Sequence, residues 1–471
     1  MQSFVHAHAS HADWRSALAL VLAQLDSQVL DEPTLGWCYF TDHHAQSAEA
    51  LLAGLRERYP GVAWVGAVGV GICAGNVEYF DEPALAVMLA SLPREQFRVF
   101  SGRRPLAAAG GAGFAASTAL VHADPATPDL AELIAELSER VGSGYLFGGL
   151  GSARNRTVLV AADGGPPGEG DSGVFEGGLS GVAFGAQIGL ISRVTQGCQP
   201  VGAARLITEA ERNVVYALDG EPALDCLLRD LGVDEHAPRD ALPRLRSTLV
   251  GLSDGPVAEA GAGAGAHAVF GVGADADHAQ RPWSYAAARR GESPGDRTGA
   301  PAGAALPPGS SAFAQNPEFS SPPRRGAFGT ETRVRHLIGL DPQRRGVAIG
   351  DIAEPGQRLA FCRRDVEAAR RDLVRVAAEI RSALEPEDLP LAGTAPGDES
   401  RRIVGAVYVS CTGRGGLHFG APSAELQLLQ HALTGAAQPA VPLVGFFAAG
   451  EIGHRQLYGY TGVLTVFTAP A

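Results

Sequence analysis

One unit restricts the fold of this chain more than any other feature, and it occurs once near each end. Residues 37–41 "WCYFT" are followed by "SAEALLAGL" and then "VAWVGAVGVGI"; residues 406–410 "AVYVS" are followed by "SAELQLLQHAL" and then "PLVGFFAAGEI". Each reads as a short apolar strand, a loop, a helix opened by a serine cap (Ser47, Ser423) with a glutamate two residues on, and a second strand running into glycine. The pattern Val-Gly-x-x-x-x-Gly recurs as Val65-Gly66 to Gly71 and as Val444-Gly445 to Gly450. Two strands joined through a helix pair in parallel by a right-handed crossover, so the loops leaving them share one edge of the sheet, where α/β sheets bind ligands. "SCTGRGG" and "FFAAGE" are therefore expected side by side. Thr41 precedes its cap by six positions and Ser410 precedes its cap by thirteen. The seven added residues fall in "SCTGRGGLHFG", and extra length at a strand exit points to function.

Elsewhere, helical and strand patterns alternate from about residue 12 to residue 253. "DLAELIAELSERVGSG" carries Leu130, Leu133 and Leu137 at helical spacing before a glycine stop. Residues 254–330 are rich in Gly, Ala, Pro and Ser with no sustained period, and are read as a disordered low-complexity insertion. "TRVRHLIGLDPQRRGVAIGD" predicts two strands about an Asp-Pro turn. The helix after it carries an apolar stripe of Val366, Ala369, Leu373, Val376 and Ile380. "PEDLPLAGTAPGDES" is read as a shorter flexible loop. The expected fold is α/β: two related modules with mixed β-sheets and flanking helices, in a layered αββα arrangement. Residues 1–29 form an N-terminal segment and helix, with His6, His8 and His11 in a frayed end. The modules span 30–205 and 206–467.

Composition removes several functions. All 38 basic residues are arginine, so no Walker lysine, Schiff-base cofactor or lysine base exists. A formal charge of -13 without a basic block argues against nucleic acid or an anionic membrane as partner. The six cysteines show no CxxC, and no apolar run reaches the roughly 20 residues of a spanning helix. A cytoplasmic protein with reduced thiols is expected.

"SCTGRGGLHFG", "VPLVGFFAAGEIG" and "LYGYTGVLTVF" resemble the C-terminal part of the FIST family. "GVAWVGAVGVGI", "VTQGCQPVG" and "ERNVVYALDGEPALDCLL" resemble its N-terminal module and the junction between the two. The resemblance implies a sensory, signal-transducing protein of bacterial type that binds a small ligand, with amino acids among the candidates, and haem-based gas sensing in some members. No kinase, receiver or F-box segment accompanies it, so output is expected through an unidentified signalling partner. Val70-Gly71-Ile72-Cys73 stands where the family's N-terminal module has a small residue and then Gly-Glu-Ile, which leaves the first glycine turn without its glutamate.

The candidate ligand site comprises Ser410, Cys411, Gly413, Arg414, Gly415, Gly416, Gly450 and Glu451. Glycines permit close backbone approach, and Arg414 suits a carboxylate or phosphate. With Arg414 facing it, Glu451 would complete a pocket for a zwitterion; a plain Arg414–Glu451 ion pair is the structural alternative. Cys411, activated by Arg414 or His418, would instead suit a cysteine-dependent hydrolase or transferase. His43, His44, His418 and His454 are candidate haem or metal ligands. "GGLGSARNR" offers an anion cradle with Arg154 and Arg156, or a simple turn. The leading expectation is a non-enzymatic sensor of a small anionic or zwitterionic ligand, and a protein-interaction scaffold is a third reading.

Overall fold

The computed structural model describes residues 3–107, 114–165, 173–233, 244–245, 247–253, 268–270, 332–384, 401–434 and 440–470. The predicted low-complexity insertion, apart from 268–270, and the predicted loop at 386–400 lie outside the described residues.

The α/β class is borne out, and the repeated unit occurs three times. The first module runs β1 (Phe4–Ser10), α1 (Trp14–Asp26), β2 (Leu35–Thr41), α2 (Ala48–Arg58), β3 (Ala63–Gly69), β4 (Gly71–Ala74), β5 (Val77–Phe80) and β6 (Ala84–Ala90). A second runs β7 (Phe97–Ser101), β8 (Thr118–Ala123), α3 (Leu130–Glu139), β9 (Tyr145–Leu150), β10 (Leu159–Ala162), β11 (Val174–Phe175) and β12 (Leu179–Phe184). A third begins with β13 (Gly189–Gln196) and is interrupted at once by β14 (Cys198–Pro200), β15 (Arg205–Glu211), β16 (Val214–Leu218), β17 (Glu221–Pro222), α4 (Ala223–Leu231), β18 (Thr248–Ser253), β19 (Ala268–Phe270), β20 (Arg333–Asp341), β21 (Gly346–Ile349) and β22 (Arg358–Arg364). It resumes with α5 (Val366–Ser382), β23 (Arg401–Cys411), α6 (Ala424–Thr434), β24 (Leu443–Ala448), β25 (Glu451–His454), β26 (Gln456–Tyr458) and β27 (Thr461–Pro470).

In each module two parallel strands flank a helix: β2 with β3, β8 with β9, and β23 with β24. The strand that returns lies antiparallel on the outer side of the first of each pair: β6, β12 and β27. The strand that follows each pair does not stay in its own sheet. β4 joins β24, β25 joins β9, and β10 joins β3, so the three modules exchange strands in a ring.

The three mixed sheets turn their inner faces to one shared core, and the helices flank their outer faces. The central core takes Trp37, Tyr39 and Ala67 from the first sheet, Leu120 and Phe147 from the second, and Val409 and Phe446 from the third. Outside the sheets, α1 and α2, α3, and α5 with α6 each seal a separate apolar cluster. The stripe predicted on α5 faces inward as expected, with Asp365 capping the helix through Ala368 N–H.

The interrupting segment is a small antiparallel barrel. β22, β15, β16, β21, β20 and β18 pair in succession and β18 closes back on β22, which leaves no open edge around the ring. Its centre holds Ile207, Val250, Ile349 and Phe361, with Leu224 and Leu227 of α4 against them.

Two expectations need correction. The N-terminus is not frayed: β1 pairs with β6 over all seven residues, and His8 Nδ1 lies 2.6 Å from the Tyr79 hydroxyl. Alternating His and Ala places His6 and His8 on one face, a period-2 strand signal. The predicted serine caps are not formed either, since Ser47 makes no side-chain cap bond and Ser423 Oγ accepts from Glu78 N–H at 2.9 Å.

One glycine recurs at the same place in every module. Gly66, Gly148 and Gly445 sit opposite Cys38, Val121 and Tyr408 of the preceding parallel strand. A Cβ at these positions would lie 1.8, 1.9 and 1.7 Å from the carbonyl oxygen of that partner, far inside contact distance. Gly445→Ala should therefore destabilise the protein by about 3 kcal/mol or more, whereas Gly102→Ala, where a Cβ meets nothing within 4 Å, should stay within about 0.5 kcal/mol of wild type. Denaturant midpoints of the two variants check this.

Candidate functional site

The exits of β23 and β24 lie side by side, with Cys411 paired to Ala448, so "SCTGRGG" and "FFAAGE" are neighbours as predicted. The strand register also shows that Cys411, not Ser410, is the counterpart of Thr41, because Cys38 and Tyr408 both face the recurring glycine. Ser410 thus corresponds to Phe40, and six residues rather than seven lengthen the loop.

Beyond Cys411 the chain makes a single 3-10 turn, Thr412–Arg414, which drives the Arg414 side chain inward until only 1% is exposed. A guanidinium cannot be buried alone, and its partner is Glu425 in the first turn of α6, itself 1% exposed. Nε and Nη2 of Arg414 donate to Glu425 Oε1 at 2.8 and 2.5 Å. Tyr408 and Ser410 donate their hydroxyls to the same carboxylate, at 2.7 and 3.0 Å. Burial opposes the charge on Arg414, but the Glu425 carboxylate outweighs it and holds the arginine protonated. The alternative reading, a plain Arg414–Glu451 ion pair, is therefore not what forms. The glutamate two residues after Ser423 is Glu425, and its counterpart Glu49 binds Arg156 at 2.8 Å, so the sequence repeat marked this acid without its role.

Glu451 lies across from Gly149 and is fully buried. Its Oε2 accepts from Thr461 N–H at 3.1 Å and from the Thr461 hydroxyl at 2.7 Å, while Oε1 has no hydrogen-bond partner. Nη1 of Arg414 is likewise buried and without a partner. Both act on Cys411, whose thiol is pushed up to about 12 by burial and by the Glu451 charge, against the Arg414 charge. Burial raises Glu451 to about 7 against the Thr461 bonds and the Arg414 charge. A thiol held so far from thiolate is a poor nucleophile at neutral pH.

Residues distant in sequence complete the surroundings. Glu78 of β5 accepts from Gly416 N–H, and the Phe80 ring fills the space a Cβ on Gly415 would need. Gly413 borders the Tyr460 ring, over which the Arg364 guanidinium sits at 3.8 Å; the Tyr460 hydroxyl lies 2.7 Å from His336 Nε2. Arg364 is exposed and has no carboxylate partner among the described residues. Gly450 packs against Leu457 and Leu150. Cys411 and Tyr460 share an apolar cluster with Cys198, Leu249, Val334 and Cys362, so the strand exit abuts the barrel.

The other candidates are taken up internally. Arg154 pairs with Asp42 and Asp81, and Arg156 with Glu49 and Glu176, so "GGLGSARNR" is not an open anion cradle. Among the histidines, His43 faces Asp42 at 3.5 Å, His454 packs edge-on against Tyr145, and His418 against Phe419. His44 is buried and belongs to the exit of β2 rather than to that of β23. His43 and His44 share the 3-10 turn that follows β2, whereas His454 ends β25 and His418 lies in the loop after β23. No group of three or more metal-ligating side chains occurs among the described residues.

The cluster thus combines buried ion pairing with unsatisfied polar atoms at a strand exit of a three-module α/β chain. The FIST N domain matches residues 34–221 and the FIST C domain residues 303–454; the chain belongs to the FIST family, whose domains are sensory and act in signal transduction. It is similar to an uncharacterized protein of Mycobacterium tuberculosis, 28% identical over 448 residues that cover 92% of this chain and 91% of the relative. An uncharacterized protein of Mycobacterium bovis is 26% identical over 468 residues, covering 97% of this chain and 96% of the relative. No helix of the described residues is long and apolar enough to cross a membrane.

Two predictions follow from the charges. Arg414→Ala strands the buried Glu425 carboxylate and should cost about 3–5 kcal/mol, while Arg414→Met with Glu425→Leu should recover much of that loss in denaturant unfolding. Because the folded protein holds Glu451 at about 7, above the value of a free carboxyl, it binds more protons than the unfolded chain between those two values. This group's contribution therefore favours folding at pH 5 and is lost toward pH 8. Glu451→Gln should gain stability relative to wild type as pH rises across that window, measured by thermal midpoints at each pH.

Proposed function

We propose that this protein senses a small anionic or zwitterionic ligand at the exits of β23 and β24. The observation that carries the reading is the presence of a buried unpartnered donor, Arg414 Nη1, and a buried unpartnered acceptor, Glu451 Oε1, whose charges both act on the Cys411 thiol. Leaving both unmade is costly, and a ligand with an anionic and a cationic end satisfies both. Arg364 on the rim supplies an exposed cation that attracts such a ligand toward the cluster.

Ser410 and Arg414 act through Glu425, whose network sets where Nη1 points. Gly413, Gly415 and Gly416 give the loop its close approach to Tyr460 and Phe80. Gly450 brings Glu451 to the site, and an amino acid fits this chemistry. Ligand occupancy is passed to a protein partner through the surface formed by this loop and the barrel beside it. A catalytic role for Cys411 is disfavoured by its high thiol pKa.

Native mass spectrometry of purified protein, with a thermal-shift screen of the common amino acids and dicarboxylates, tests the reading. Arg364→Ala should weaken binding of the strongest hit by about tenfold or more, as expected for loss of a charged hydrogen bond. Unchanged affinity in that variant, or no shift from any compound, would overturn it.

A further inference from the structure

We propose a second binding site, at the opposite end of β23, for an anion that carries an apolar body. A cleft of about 650 Å³ lies where β23 begins, between Ser3 and Phe4 at the start of β1, the ends of α5 and α6, and the approach to β24. Its volume falls in the range of small-molecule sites. Three guanidiniums line it: Arg381 from the last turn of α5, and Arg401 and Arg402 from the first residues of β23.

Unlike Arg154, Arg156 and Arg414, these arginines form no ion pair with a carboxylate among the described residues. Arg401 is held in place through Thr468, donating from Nε to the hydroxyl at 3.0 Å and from Nη2 to the carbonyl at 3.2 Å. Arg381 and Arg402 are exposed and have no carboxylate partner among the described residues. In a protein of net charge -13, three cations on one cleft make a local exception. The carbonyl ends of α5 and α6 also reach this place, each with about half a negative charge. That accounts for one arginine near a helix end but not for two more on a strand.

The rest of the lining is apolar. Phe4, Val404, Leu433 and Val441 are buried residues that reach the cleft, with Leu384 and Ile403 beside them. The strand register slips between Ile403 and Gly405, and the Phe4 ring occupies the space a Cβ at Gly405 would take, 2.4 Å from its nearest atom. A ligand matching this surface has a carboxylate or phosphate for the guanidiniums and a hydrocarbon or aryl part for the apolar wall.

Isothermal titration of the full chain with octyl phosphate, octanoate, inorganic phosphate and octanol, below micellar concentrations, tests the site. Octyl phosphate or octanoate should bind at least about tenfold more tightly than either half alone, and Arg381→Gln with Arg402→Gln should weaken that binding by about tenfold or more. Both positions are exposed, so the variant should keep the wild-type thermal midpoint. Arg364→Ala should leave this binding unchanged, which separates it from the site at the other end of β23. The proposal fails if the double variant binds like wild type, if octanol binds as well as octyl phosphate, or if no probe binds.

Discussion

The close approach at Gly66, Gly148 and Gly445 is the constraint from which the rest of the architecture follows. Each glycine lets one strand of a parallel pair move against a carbonyl of the other, which no residue with a side chain would allow. The strand beyond can then leave its own sheet: β3 hands over to β4, β9 to β10 and β24 to β25, each landing in a neighbouring module. Three sheets enclosing one apolar core require this handover, since their inner faces are covered only by one another.

Only the third module has turned the shared frame into a polar site. The central-core position held by Ile72 in the first module and Leu159 in the second is Glu451 in the third, so an acid stands where its counterparts are hydrocarbon. The residue at the end of the first parallel strand changes with it. Thr41 accepts from Ala84 N–H, whereas in the third module Glu451 takes the equivalent amide of Thr461 and Cys411 is left beside it. The lengthened loop then supplies Arg414, and Glu425 makes its burial tolerable.

Periodicity and spacing made the outer two copies legible, because both keep a serine and a glutamate at the helix start and valine before the glycine. The middle copy carries Phe147 before Gly148 and no such helix start, so its relation appears only in strand pairing. The register at Cys411 was misjudged by one residue, since apolar runs such as "AVYVSC" are buried on both faces and give no alternation to fix them. Glu78 and Arg364 carried no local signal. Each reaches the loop from another module or from the barrel, and contacts between elements so far apart in the chain leave no trace in spacing. The barrel was hidden for a related reason: its strands are short, and its closure depends on β18 finding β22 across an intervening stretch of low complexity.

The ring of exchanged strands has a mechanical meaning. Each module lends two strands to the end of a neighbour's sheet, β4 with β5, β10 with β11 and β25 with β26, so none possesses a complete interior of its own. Such a body lacks the hinge along which two-domain sensors close. The barrel is fastened to this ring through the apolar cluster around Cys411 and through Arg335, which donates to the Leu457 carbonyl at 3.0 Å.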